Sequence, residues 1–248
     1  MTDALATKAY KTAARRMREA GFDVGDRIEV LVDPNLDVGG YTIRGEGDRF
    51  RIVASGRAVN AGRIDGLLLH EMSHIYRIRT KHPSHDSRII EEATNLVADG
   101  VVRKDYQRKI LHDLVNNVED LYADDIAFPI MQKGGLVAAE NVSELLQEWV
   151  EDRPAESSDA TRARWENAWS LANNARAIAE LERQGVADTG GRARAINDRL
   201  VSQIGPAAWG QFEYLRNLLA NLPEKISGDE YRRLLTDYLK KFLETAAK

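Results

Sequence analysis

Apolar residues recur along this chain with two different periods. From Asp3 to Ala20 the residues Tyr10, Ala13, Ala14 and Met17 fall at helical spacing, and Gly21 stops the pattern. From Arg27 the period shortens to two. Ile28, Val30 and Val32 alternate, Tyr41–Arg44 follows, and Phe50, Ile52 and Ala54 share one face of a third run, Arg49–Ala54. Asp33-Pro34-Asn35, Gly39-Gly40 and Gly45-Glu46-Gly47-Asp48 are the turns between them. The short connections predict a small, roughly three-stranded, mostly antiparallel sheet. From Asn60 onward the helical period returns and persists. It predicts a helix capped by Asn60 and running to about Arg79, then Ser87–Val102, and then Lys104 to about Phe128, ended by Pro129 and Gly134-Gly135. Further helices follow at Val142–Glu151, Thr161–Gln184, Arg192–Ile204, Ala207–Leu222 and Asp229–Ala246. The fold class is α+β: a mixed N-terminal domain over 1–135 and an all-α region over 136–248.

The helix after Asn60 is unusual among these. Ile64, Leu68, Leu69, Met72, Ile75 and Tyr76 cover a wide arc of its wheel, and the remaining side carries His70 and His74. The stretch reads Leu69-His70-Glu71-Met72-Ser73-His74. Residues four apart on a helix lie about 40° apart on one face. Two imidazoles so placed can bind one metal ion, with the carboxylate beside the first acting on a water at that ion.

Composition narrows the chemistry. The 248 residues are 43% hydrophobic and 30% charged, as in a folded soluble chain. A net charge of −4 gives no global reason to expect nucleic acid. The chain has no cysteine, which removes disulfides, thiolate ligands and thiol nucleophiles. No uncharged apolar run approaches the ~20 residues a bilayer requires, and the N-terminal residues lack the apolar core of a signal peptide. No membrane association and a cytoplasmic location are the expectations.

Catalytic zinc takes three protein ligands and a water. The pattern with a third histidine six residues after the second fails, because Arg77 and Thr80 occupy its glycine and histidine positions. The cysteine-ligated variant fails for want of a cysteine. His82 and His85 lie in the loop beyond the helix, where a histidine folding back is an alternative. Otherwise a carboxylate from a later helix completes the set: Glu91, Glu92, Glu119 or Asp120. With Leu111 at zero and ~100° per residue, Glu119 falls at about 80°, bordering the apolar stripe, and Asp120 at about 180°. Glu119 is the first choice on phase, with Asp120 and Glu92 as alternatives. His112 lies on the Glu119 side of the same helix and is a candidate transition-state stabiliser as well as an ordinary half-buried histidine. Tyr122 reads as core, Arg77–His82 as a solvated basic helix end, and Trp165, Trp169 and Trp209 as core or inter-helix contacts.

The motif helix together with Asn116-Asn117-Val118-Glu119-Asp120-Leu121-Tyr122-Ala123-Asp124 resembles the gluzincin metallopeptidases, and in layout their minimal prokaryotic and archaeal members, the minigluzincins. The resemblance covers about residues 1–130. It implies a zincin-like domain of N-terminal helix, small sheet, motif helix and glutamate helix, one Zn²⁺ per chain, and an aspartate four residues beyond the acidic ligand that supports the first histidine. Asp124 is four residues after Asp120 and five after Glu119, where the family spacing would select Ala123. Either Asp120 is the ligand with Asp124 behind it, or Glu119 is the ligand with a different support for the first histidine; phase favours Glu119, and the spacing leaves the choice open.

The expected function is a zinc metallopeptidase in which His70, His74 and the acidic residue hold the ion and Glu71 is the general base. Its partner is a peptide or protein substrate, aligned by the strand before the motif helix, Arg49–Ser55. The competing expectation is a non-catalytic helical interaction protein with a structural or vestigial zinc site. Sequence specifies neither the cleavage preference nor the oligomeric state.

Overall fold

The structure is a computed structural model that describes residues 2–247. It is α+β and mostly helical, with one three-stranded sheet. Its contacts divide the chain into two compact units. The first comprises Met1–His85 with Tyr122–Ala138, and the second Asp86–Leu121 with Ala139–Lys248. The segment 86–121 thus groups with the C-terminal helices.

In the first unit, helix α1 (Thr2–Glu19) buries Ala6, Ala9, Ala13 and Met17 on one stripe. Its alanines allow close approach to the motif helix α3 (Ile64–Arg79). Gly21 ends α1 with φ +90°, and the Phe22 N–H donates back to the Met17 carbonyl at 2.8 Å, the C-terminal closure that glycine favours.

The sheet consists of β1 (Ile28–Asp33), β2 (Gly40–Arg44) and β3 (Phe50–Ser55), in the order β1-β3-β2. β3 pairs parallel to β1 and antiparallel to β2, so the mostly antiparallel expectation gives way to one pairing of each kind. The most buried strand takes the centre, where both of its edges are hydrogen-bonded and Phe50, Ile52 and Ala54 are buried. The strands carrying Glu29 and Arg44 take the edges, where charge discourages unwanted pairing.

The step from sheet to motif helix also differs from expectation. Asn60 does not cap α3. It ends a short helix, α2 (Gly56–Asn60), whose own cap is Ser55, its Oγ accepting from the Ala58 N–H at 3.1 Å. α3 begins at Ile64 after Arg63, without a side-chain cap. Ile64, Leu68, Leu69, Met72 and Ile75 are buried, as the wheel requires.

Helix α5 (Asp105–Lys133) is longer than predicted because Pro129 does not end it. A proline deletes one intrahelical bond. Here the ring is exposed while Ile126, Phe128, Ile130 and Met131 around it are buried, so packing holds the last turn. The stop comes at Gly134-Gly135, where Gly135 has φ +64°.

In the second unit, α4 (Ser87–Ala98), capped by Asp86, packs against α10 (Gly228–Ala246). Ile89, Ala93 and Val97 are buried, whereas Leu96 is exposed. α7 (Ala160–Arg183) is the central helix, contacted by α6 (Ala139–Glu148), α8 (Arg192–Ile204), α9 (Pro206–Ala220) and α10. Ala168, Ala172, Ala175 and Ala179 are fully buried and let neighbouring helices approach closely. Trp165 is core, edge-on to Phe242 at 5.5 Å, whereas Trp209 is exposed, contrary to its reading as a contact residue. Among the described residues no helix is long and apolar enough to cross a membrane.

Candidate metal centre

α3 and the second half of α5 are fixed to each other by a buried arginine. Arg77, 3% exposed, donates from Nε and Nη2 to the Tyr122 carbonyl at 3.1 and 2.9 Å. Arg77 lies one turn beyond His74, and Tyr122 lies between Asp120 and Asp124, so this contact sets the register in which the two helices present their polar residues.

His70 and His74 converge. Their Nε2 atoms are 3.1 Å apart, with ring centroids at 4.7 Å and planes at 78°. His70 Nδ1 lies 2.7 Å from Oδ1 of the buried Asp124. A carboxylate only accepts, so His70 carries its proton on Nδ1 and, when neutral, turns the lone pair of Nε2 toward His74. His74 Nδ1 in turn lies 2.7 Å from His85 Nε2. Asp120, one turn before Asp124 on α5, offers the third group: one ligand atom from each of His70, His74 and Asp120 lies within 4.8 Å of the others.

This arrangement passes the test for a metal. Two nitrogen ligands of a tetrahedral zinc at ~2.0–2.1 Å lie roughly 3.3 Å apart, close to the observed Nε2 separation. His74 Nε2 either donates its proton to His70 Nε2 or, with its proton on Nδ1 toward His85, faces it with a lone pair that a cation between the two rings would accept. A carboxylate beside them makes that position favourable for a divalent cation.

The other predicted residues occupy different places. Glu119 is not in the cluster. It is half-buried, and desolvation, with a smaller contribution from the neighbouring Asp120 charge, pushes its carboxyl up to about 8. Glu92 is exposed on α4 and paired with Arg88 at 2.8 Å and Arg232 at 3.4 Å; Glu91 is exposed as well. His112 is exposed beside Asn116 Nδ2 at 3.3 Å, eight residues before Asp120 and so about 12 Å away along the axis. Asp120 also faces Arg176 of α7, with Oδ2 3.7 Å from Nη2. Arg176 is held in turn by the fully buried Glu180 at 3.1 Å and by the Trp149 ring at 4.6 Å.

Glu71 is 5% exposed, and its Oε2 accepts from the Thr42 hydroxyl at 2.8 Å. Sequence reasoning did not find this partner. The alternation of β2 puts Thr42 on the less exposed face, but only the crossing of β2 over α3 brings it to Glu71. The strand expected to align a substrate, Arg49–Ser55, has neither edge available, because β3 is central.

Residues 3–244 match a family described as a family of unknown function, DUF5781. The chain belongs to that family. No curated protein and no solved structure matches it. Membership in DUF5781 covers nearly the whole chain, sheet and C-terminal helices together, and carries no activity with it. The chemistry of this DUF5781 member therefore has to be argued from its own residues.

Proposed function

We propose that the protein is a zinc-dependent hydrolase of peptide bonds, with His70, His74 and Asp120 as metal ligands, Asp124 supporting His70, and Glu71 as general base. The observation that carries this reading is the convergence of the two Nε2 atoms at 3.1 Å beside Asp120, with Asp124 behind His70. Asp120 and Asp124 also stand at the spacing that the gluzincin resemblance requires, which supports a zincin-like arrangement of motif helix and acidic helix. A divalent ion held there would supply an electrophilic centre and a water acidified toward pKa ~7. Glu71 follows the first ligand in sequence, is shielded from bulk water, and takes the proton of the attacking water and returns it to the leaving amine. Thr42 donates to one oxygen of Glu71 and leaves the other for that task. β2 is an edge strand and carries Thr42, so it replaces β3 as the strand on which an extended peptide would pair.

The test uses purified full-length protein. Elemental analysis should find about one zinc per chain, and His70→Ala should remove it. Glu71→Gln should keep the zinc and lower hydrolysis of unfolded casein by about 10²–10⁴-fold. Full zinc content in His70→Ala contradicts the site. Undiminished hydrolysis by Glu71→Gln contradicts the reaction and leaves the helical interaction protein with a structural metal.

A further inference from the structure

We infer that His85 is the positioning residue of His74, locked in turn by Ser84 and His82, so that the turn after the motif helix is part of the metal centre. This inference rests on the reading that His70, His74 and Asp120 hold a metal ion. The geometry is a chain of three short contacts: His74 Nδ1 to His85 Nε2 at 2.7 Å, His85 Nδ1 to Ser84 Oγ at 2.7 Å, and Ser84 Oγ to His82 Nδ1 at 2.7 Å.

The proton positions follow from one end. A histidine that binds a metal through Nε2 carries its proton on Nδ1. His74 Nδ1–H then donates to His85 Nε2. His85 therefore carries its own proton on Nδ1 and donates to Ser84 Oγ. The Ser84 hydroxyl hydrogen is left to donate to His82 Nδ1, toward which the Ser84 N–H also points at 3.3 Å. Every link is satisfied in a single direction with all three rings neutral.

The backbone builds this chain deliberately. α3 closes with Lys81 in the left-handed region at φ +54°, and the His82 N–H donates to the Arg77 carbonyl at 2.9 Å. A non-glycine residue is strained there. The strained turn folds the chain back along the helix, and the 3₁₀ turn Pro83–His85 places a fully buried Ser84 between two histidines. The His82 ring rests on Tyr122 at 4.8 Å, against the residue that Arg77 also grips. The two metal-facing histidines are thus supported differently, His70 by a carboxylate and His74 by an imidazole. A neutral acceptor makes His74 the weaker donor to the metal, which leaves the ion more electrophilic than two carboxylate-backed ligands would.

The experiment measures Zn²⁺ affinity of the full chain by competition with a chromophoric chelator, and the ring N–H protons of the zinc-loaded chain by ¹H–¹⁵N NMR. His85→Ala should weaken zinc binding about 10–100-fold and expose the His74 Nδ1–H to exchange with water, so that its signal broadens. His85→Gln, whose amide oxygen accepts the same proton, should recover most of the affinity and the protected signal. Ser84→Ala should fall between. Recovery by glutamine separates positioning from a folding defect. If His85→Ala binds zinc as tightly as wild type with His74 unchanged while His70→Ala abolishes binding, the inference is overturned and the site reading stands. If the wild type binds no zinc, both fall.

Discussion

In the second unit two sets of buried polar groups close on one another. Arg176 pairs with Glu180, and Asn174 donates to Asn197 at 3.1 Å and to the Glu151 carbonyl at 2.9 Å, all deep among apolar helices. In the first unit the polar groups instead converge on a point. Asp124, Arg77, Ser84 and His85 each hold a neighbour so that His70 and His74 bring their Nε2 atoms together. Both arrangements pair buried polar groups that would otherwise be costly to bury. The first kind uses donors and acceptors in complementary pairs and specifies packing. The second brings two imidazoles and a carboxylate within reach of one point, where the proposed metal ion would sit. Counting buried polar residues does not distinguish the two; the convergence of ligand atoms does.

The sharpest way to break this contrast is at the acidic ligand. Asp120→Asn should abolish stoichiometric zinc, measured by elemental analysis after dialysis, whereas Glu119→Gln should retain about one ion per chain. The reverse result would move the site one residue and remove the spacing argument. Next in size is the pair in the second unit. Glu180→Ala removes the nearer of the two carboxylates that face the buried Arg176 and should lower unfolding free energy in urea by about 3 kcal/mol. Since Arg176 also faces Asp120, zinc measured per folded molecule should weaken far less than in Asp120→Asn. An equal loss in both would show that the second unit's cluster serves the metal too.

Asp124→Asn tests the support of His70. The substitution keeps the shape and removes the charge, and zinc affinity should drop about 10–100-fold without loss of fold. The smallest expected effect concerns Glu119 in chelator-stripped protein. Its carboxyl titrates near 8 when folded and near 4.5 when exposed. Below 4.5 both states are protonated. Between 4.5 and about 8 the unfolded state has lost its proton and the folded state has not, so stability falls as pH rises through that window. Glu119→Gln should flatten the decline, by a few kcal/mol at most, in melting curves taken from pH 5 to pH 8. Parallel wild-type and variant profiles would place Glu119 in water.

Periodicity alone fixed the helical spans to within a few residues, placed His70, Glu71 and His74 on one interrupted apolar helix, and exposed the four-residue step from Asp120 to Asp124. It did so because these are local properties, set by side chains within two turns of one another. Tertiary structure decided the rest. Phase measured from Leu111 favours Glu119, but Leu111, Leu114 and Val118 form a stripe buried in the second unit, so bordering that stripe does not direct a residue toward the histidines. β3 took the centre of the sheet because its neighbours are chosen by burial rather than by loop length. Pro129 was carried through α5 by the packing of the residues around it. His85 and Thr42 reach His74 and Glu71 across 11 and 29 residues of chain. A hydrogen bond between residues so far apart leaves no periodic trace in sequence, since it depends on where a turn and a strand are folded back rather than on what precedes them.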